Sequence, residues 1–315
     1  MLVKREVILA KIESAYGTDP TPTGTDNAIL VENPSWAHEG LRMIDRPAVR
    51  GGSLGKLRKI YGGSLKQVSF ACEMKGAGSA YSSSVRSEID VLLRASALAA
   101  TVVTTGGSES VTYKPASSSH ESITIYYYQD GTLHEMNGCR GTVSFSFEAG
   151  NKCMANFSFT GHEVTPVDAA LPTPTFDSTV PPPFLSASFA IAGYSAVISS
   201  LKFDMGNKLI TPPNANASDG YGEIRIVDRD ITGSFDPEHV TVATHDFIGR
   251  FKSGTTGALA TGNIGSTQYN RFSISMPVVY YTDIAPGERD GIRTLDVPFG
   301  AIESSGDDEV SIIFN

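Results

Sequence analysis

The sequence predicts a mainly β protein with an amphipathic helix set against its sheet, and three observations carry that class. Asp130-Gly131 stands between β-forming runs, and a tight hairpin turn needs the positive φ that Gly accepts without a Cβ clash. Val143, Phe145 and Phe147 alternate with Thr142, Ser144 and Ser146, and the alternation resumes at Phe157 and Phe159. That period of two places one face on a core and the other on water or a neighbouring subunit. The 31 glycines and 17 prolines supply many turns. Ser122 to Thr160 therefore reads as a meander of at least four antiparallel strands, with no catalytic motif inside it.

Residues 1–35 read as an arm. Val7 to Glu13 fits a short strand or a helical turn, but Tyr16 to Gly24 brings Pro or Gly every few positions and forbids regular structure. Ile44-Asp45-Arg46 is a charged turn, followed by a flexible loop from Gly51 through Gly52, Ser53 and Leu54 to Gly55. Gln67 to Met74 alternates as a strand. Val85, Ile89, Leu92, Leu93 and Ser96 fall at helical spacing between Ser84 and Ala99, with Ser82 to Ser84 available to cap, so this amphipathic helix lies against the open face of the sheet. Val111-Thr112-Tyr113 opens the strand series. Six prolines between Thr165 and Phe184 mark a stiff, extended linker. Beyond it, Asp236-Pro237-Glu238 has the residues of a helix opening, with Phe247, Ile248 and Phe251 as an apolar stripe. Arg271–Tyr281, Leu295–Phe299 and Val310–Phe314 read as strands.

Two echoes connect the halves. Phe203-Asp204-Met205-Gly206-Asn207-Lys208 repeats Phe147-Glu148-Ala149-Gly150-Asn151-Lys152, and Val227-Asp228-Arg229 before Gly233-Ser234 repeats Ile44-Asp45-Arg46 before Gly52-Ser53. Each half then runs through a charged turn, a helix and strands. This divides the chain into an arm (1–35), a β domain (36–164), a linker (165–184) and a second β domain (185–315), which is either a duplicate of the first or a decoration. Asp45, Arg46, Asp228, Arg229, Asn151, Lys152, Asn207 and Lys208 are the candidate turn and inter-subunit contacts, and Glu148 and Asp204 are carboxylates at the echoed turns.

Charged residues make up 19% of the chain. An isolated β protein needs charges to keep its edges apart, so this low share points to a surface that something else covers, a hint of assembly. The net charge of −9 argues against a reader that grips phosphates, which would concentrate Lys and Arg on one face. Cys72, Cys139 and Cys153, odd in number and widely spaced, fit a reducing compartment better than a disulfide framework. The N-terminal apolar run is cut by Glu6 and Lys11, too short for a secretion signal, and no run approaches a membrane span. The chain is therefore expected to be made and kept in the cytosol unless a larger particle carries it out.

Three His-Glu pairs, at His120, His134 and His162, lack a second His four residues on, and strand neighbours point to opposite faces, so polar surface positions fit better than a metal site. Nucleophile elbows, phosphate loops and dinucleotide fingerprints are missing. No enzyme and no cofactor is expected. The alternatives are a carbohydrate-binding or adhesive β-sandwich using Tyr126 to Tyr128 as a platform, and a hydrolase with an unmarked carboxylate pair.

Lys11-Ile12-Glu13, Tyr16-Gly17-Thr18-Asp19, Pro22-Thr23-Gly24, Glu121 to Tyr126 with Asp130-Gly131, Arg140 to Ser144 and Phe157 to Gly161 resemble the major tail tube protein of long-tailed bacteriophages. The likeness covers roughly residues 4 to 176 and is loose afterwards. It implies a β-sandwich or barrel-like domain with a flanking helix, whose strands join those of neighbours into a ring. Such rings stack into the tube through which the genome is ejected, knit together by hairpins, loops and arms. A ring of six single domains is usual, so a duplicated chain implies three copies. The implied partners are other copies of the chain, tape measure protein and DNA passing through the lumen without specific binding, and the tail terminator and distal tail proteins at the tube ends. The implied location is the virion tail, reached from the host cytoplasm, with no membrane. On this resemblance Glu148 and Asp204 keep the bore negative.

Overall fold

The computed structural model describes every residue except Met1, Val3, Arg50 and Ser53, so the Ser53 position of the second echo lies outside the described residues. The first half contains β1 (Glu6–Ile12), β2 (Ala28–Ile29), β3 (Glu32–Glu39), β4 (Met43–Ile44), β5 (Ile60–Tyr61), β6 (Leu65–Glu73), α1 (Asp90–Ala95), β7 (Leu98–Val103), β8 (Ser110–Pro115), β9 (Ile123–Gln129), β10 (Thr132–Glu148), β11 (Met154–Glu163) and β12 (Val167–Asp168). The second contains β13 (Ala190–Ile191), β14 (Tyr194–Ser195), β15 (Ile198–Asp204), β16 (Lys208–Ile210), β17 (Arg225–Asp228), β18 (Thr232–Pro237), α2 (Phe247–Ser253), β19 (Gly257–Ala260), β20 (Phe272–Tyr281), β21 (Ala285–Arg289), β22 (Ile292–Ala301) and β23 (Ser311–Phe314).

The first-half strands lie in the order β3-β6-β11-β10-β9-β1-β2, all antiparallel. The second-half strands lie in the order β15-β18-β22-β20-β19-β13-β14, also antiparallel. Taken along the chain, these are the same order twice: β1 corresponds to β13, β3 to β15, β6 to β18, β10 to β20 with β21, and β11 to β22. The β4–β5 and β16–β17 hairpins interrupt the two sets at the same place, as do α1 and α2.

The halves are joined twice. The C-terminal part of β10 pairs with β15, and β8 pairs with β23. Among the described residues no path of pairings returns to its starting strand, so the large sheet stays open. One apolar core runs under both halves, from Val68, Phe70, Phe145, Phe147, Phe157 and Phe159 to Leu201, Phe203, Phe235, Phe272 and Phe299. Alternation builds it, since the intervening serines and threonines take the opposite face.

Ser122 to Thr160 holds three strands rather than four. Gly138, with φ +62°, sits in a bulge where the β10 register shifts between Asn137 and Arg140, and the bulge bends one 17-residue strand instead of ending it. The expected first helix shrinks to six residues. Ser82 Oγ accepts the Val85 amide at 3.0 Å, closing a turn before the helix, and Ala97 at φ +60° ends it. The β-branched Thr101, Val102 and Val103 then continue as β7 against β8. Its one-sided burial stands: Leu92 and Leu93 are in the core.

Asp236-Pro237 closes β18 and opens no helix. The Asp236 carboxylate accepts the Ser199 and Ser200 amides at 2.9 and 2.6 Å across the β15 bulge, so its capping capacity is spent on a strand. The apolar stripe belongs to α2, ten residues on, where Asp246 caps by accepting the Gly249 amide at 2.7 Å and Gly254 at φ +65° terminates.

Within residues 1–35, β1 pairs with β9 over seven positions and β2 with β1, so these strands lie along their own chain. The proline-rich stretch is extended and lies on the body, where Thr175 N donates to Gly24 O at 2.9 Å and Lys75 Nζ to Asp177 O at 2.8 Å.

Candidate assembly interface

The internal join shows what two strand edges need in order to meet. Ser144 lies opposite Asp204, Phe145 opposite Phe203, Ser146 opposite Lys202, Phe147 opposite Leu201 and Glu148 opposite Ser200. On the core side Phe203 stacks on Phe145 at 4.6 Å between centroids and touches Phe147 at 6.1 Å. Burying a side chain of this size contributes about 1.5–3 kcal/mol. On the opposite face lie Ser144, Ser146 and Ser200 together with the charged Glu148, Lys202 and Asp204.

The strands that correspond to β15 and to the C-terminal part of β10 are β3 and β21. Among the described residues, β3 pairs with β6 alone and β21 with β22 alone. Along the path β3-β6-β11-β10-β15-β18-β22-β21 every step is antiparallel, so the eight strands leave two end edges of opposite direction. Trp36, on the core side of β3 opposite Val68, is 38% exposed. Beneath it Lys66 is fully buried, its Nζ 4.3 Å from the Trp36 ring centre, 2.9 Å from Glu163 Oε1 and 2.8 Å from His134 Nδ1. Burial and the Lys66 charge hold the His134 imidazole below its ordinary pKa. Beneath β21 a groove of about 630 Å³ opens toward α2, lined by Ile248, Ile284, Pro286 and Leu295 together with Glu288 and Arg293.

The β4–β5 hairpin exposes Met43 and Ile44 on β4, Val49 and Leu54 on its loop, and Ile60 and Tyr61 on β5. Apolar side chains grouped in this way mark a surface that another molecule covers. Asp45 and Arg46 lie on this loop, both exposed, and Asp45 pairs with Lys59 at 3.2 Å.

The other candidates sit elsewhere. Arg229, after β17, donates from Nε to Glu309 at 2.8 Å and from Nη2 to Asp307 at 2.6 Å, tying the β16–β17 hairpin to the segment before β23. Asn207 is buried, with Nδ2 donating to Ser96 O at 2.7 Å and Gly141 O at 3.1 Å. Asp228, Arg229 and Asn207 line one cavity of about 280 Å³, while Lys208 is exposed at the start of β16. At the β10–β11 turn Asn151 Nδ2 donates to Glu148 Oε2 at 3.1 Å, and Lys152 pairs with Glu32 and Glu73. Glu148 and Asp204 both point away from the core, since their neighbours Phe147 and Phe203 are buried in it. That face carries Ser35, Ser69, Ser158 and Thr142 in one cross-strand row and Ser144, Asp204 and Thr232 in another.

Tyr127 belongs to the main core and Tyr126 to a smaller cluster with Leu133, so neither forms an exposed platform. His162 is held between Tyr16 Oη at 3.1 Å and Asp219 Oδ2 at 2.6 Å, and His120 faces Ala116 O at 2.9 Å. Among the described residues no group of three or more His, Cys, Asp or Glu is placed to hold a metal.

Sequence reasoning missed β3 and β21. The sequence analysis assigns nothing to either stretch, and the one tryptophan of the chain was the available signal for β3.

No curated protein matches the chain. The family model for phage tail tube proteins matches residues 4–301. With nearly the whole length covered, and a mainly β fold whose large sheet stays open, the chain belongs to the phage tail tube protein family.

Proposed function

We propose that three copies of this chain close into a ring, that rings stack into a tail tube, and that the tube conducts the phage genome into the host cell. The observation that carries this reading is the repeated strand order. Four strands of each half (β3, β6, β11, β10, then β15, β18, β22, β21) form one ladder, the join between halves is made within the chain, and the corresponding outer edges are left open. The halves are then two tandem tube domains, and three chains reproduce sixfold packing.

Size supports three. About 24 strands spaced ~4.8 Å apart and tilted ~40° make a backbone cylinder about 48 Å across, leaving about 38 Å inside one layer of side chains. Two chains would leave about 22 Å, too narrow for a hydrated duplex.

The core lies on one face of this ladder, so the other face lines the bore. Serines and threonines dominate it, and its cation Lys202, opposite Ser146, lies between Glu148 and Asp204, two carboxylates that outnumber it and repel a phosphate. The chain works without a reaction of its own. Copies assemble in the host cytoplasm around tape measure protein, which DNA later replaces, with terminator and distal tail proteins at the ends. Negative-stain images of the purified protein, with mass measurement of the ring, test the reading. Rings of three chains are expected, and a protein that stays monomeric at high concentration overturns it.

A further inference from the structure

We infer that β21 of one copy pairs antiparallel with β3 of the next, with Ala285 opposite Ala37, Pro286 opposite Trp36 and Gly287 opposite Ser35, and that Trp36 seats in the groove between β21 and α2. This rests on the ring reading above and adds to it the two edges, their register and the anchoring side chain.

The register follows from the internal repeat. Ser69-Phe70 of β6 occupies the place of Ser234-Phe235 of β18: in each pair the Phe is in the core and the Ser is on the opposite face. Phe157 and Phe159 of β11 likewise correspond to Val297 and Phe299 of β22, since Phe70 lies opposite Phe157 and Phe235 opposite Val297. Carrying that correspondence outward through the ladders assigns Ser144–Glu148 of β10 to Ala285–Arg289, the whole of β21. It also assigns Leu201, Lys202, Phe203 and Asp204 of β15 to Pro34, Ser35, Trp36 and Ala37 of β3. The internal pairs Ser144–Asp204, Phe145–Phe203 and Ser146–Lys202 then translate directly into the three intermolecular pairs.

Side-chain direction agrees. Ser35 shares a face with Ser69 and Gly287 with Thr294, whereas Trp36 and Pro286 lie on the core side. Trp36 is therefore the counterpart of Phe203, and the apolar groove at Ile248, Ile284, Pro286 and Leu295 is the counterpart of the space that Phe145 and Phe147 fill at the internal join. Both edges have the features that keep a strand soluble until its partner arrives: Pro34, His38 and Glu39 on one, and Pro286, Glu288 and Arg289 on the other.

Disulfide trapping tests the register. Ala37 and Ala285 are exposed, and Cys72, Cys139 and Cys153 are at most 1% exposed and do not compete. The full-length Ala37→Cys/Ala285→Cys variant, oxidised after assembly, is expected to give covalent dimers and trimers and nothing larger. Ala37→Cys/Arg289→Cys, which reports a register slipped by four residues, is expected to stay uncrosslinked. Rings that crosslink only in the second variant overturn the register while the ring reading survives, whereas the absence of any ring overturns both.

The single tryptophan gives a readout that needs no introduced cysteine. In the unsubstituted protein its emission should shift to shorter wavelength and lose access to iodide on assembly, and unchanged emission in formed rings overturns the seat. Trp36→Ala should raise the concentration needed for rings about 30-fold, the cost of a truncated central aromatic anchor. Trp36→Phe should recover most of that loss.

Discussion

The internal join and the two open edges are built to one plan and finished differently. At the join, Phe145, Phe147 and Phe203 close over one another, and serines with the charged Glu148, Lys202 and Asp204 face out. At the open edges the corresponding positions hold Pro286, Glu288 and a half-exposed Trp36. The chain itself holds the first pair of edges together, so they meet at high effective concentration and can be apolar from the start. On the ring reading proposed above, the second pair waits in solution for another copy, and Pro and charge protect it meanwhile. The difference teaches that a strand's role in assembly shows in the contrast with its repeat more than in its own composition.

Phe203→Ala should break that contrast most severely. Removing a buried aromatic from the join costs about 3–5 kcal/mol. Denaturant unfolding of the monomer should record it, with the midpoint falling and rings lost as a consequence. Trp36→Ala, at the corresponding place, should leave monomer unfolding within about 1 kcal/mol of the parent protein, because partial exposure already discounts its burial. Equal losses at the two positions would mean that β3 is finished within one chain.

The strands that were readable in the sequence are those with a core of their own. β6, β20, β22 and β23 alternate because one face is buried, and Asp130-Gly131 turns where expected, with φ +34° and +112°. β3 and β21 were unreadable for the converse reason: most of their residues are exposed, so no buried face imposes a period. The first helix was overread because Val85 and Ile89 keep helical spacing while a Ser82 turn, closed by side chain to backbone, governs the local backbone. The letter echo of Phe147–Lys152 in Phe203–Lys208 misled more subtly, since β15 corresponds in strand order to β3 and not to β10. Matches of a few letters arise at any turn; core positions such as Phe70 and Phe235 follow the fold. Asn207 and Arg229 were legible as polar turn residues, but their partners, Ser96 and Glu309, are far away in sequence.

Acid should sharpen the comparison, because His134 stands under the β3 edge and the internal join has no histidine. Burial first, and then Lys66, lower the His134 pKa in the folded protein, while Glu163 opposes them. A lowered folded pKa means that the unfolded chain binds the proton more readily. The contribution is therefore neutral well above the ordinary imidazole value of 6.5 and becomes destabilising as pH falls through and below it. The Lys66–His134–Glu163 cluster supporting Trp36 should loosen first, so rings should dissociate at a higher pH than the one at which the monomer unfolds. His134→Gln should move ring dissociation to lower pH and leave its behaviour at neutral pH unchanged. Light scattering and far-UV circular dichroism across one pH series separate the two events, and coincident transitions would count against a β3-specific effect.

The smallest expected effect on stability is at the face away from the core, and it bears most directly on conduction. Glu148 is exposed at its turn, and surface substitutions of this kind shift stability by about 0.5 kcal/mol or less. Glu148→Lys should therefore leave rings and tubes intact by electron microscopy. The reversal repeats at each copy along the tube, however, so a passing duplex meets a cation at every ring where it previously met a carboxylate. Each phosphate contact releases counterions and holds the DNA, so genome release should slow, and the delay should shrink as salt rises. Asp204→Lys should act in the same direction, with some added cost from the lost contacts to Thr142 Oγ1 at 3.4 Å and the Gly206 amide at 2.8 Å. Normal release with intact tubes would place these carboxylates away from the bore, and failed assembly would place them at a contact between copies.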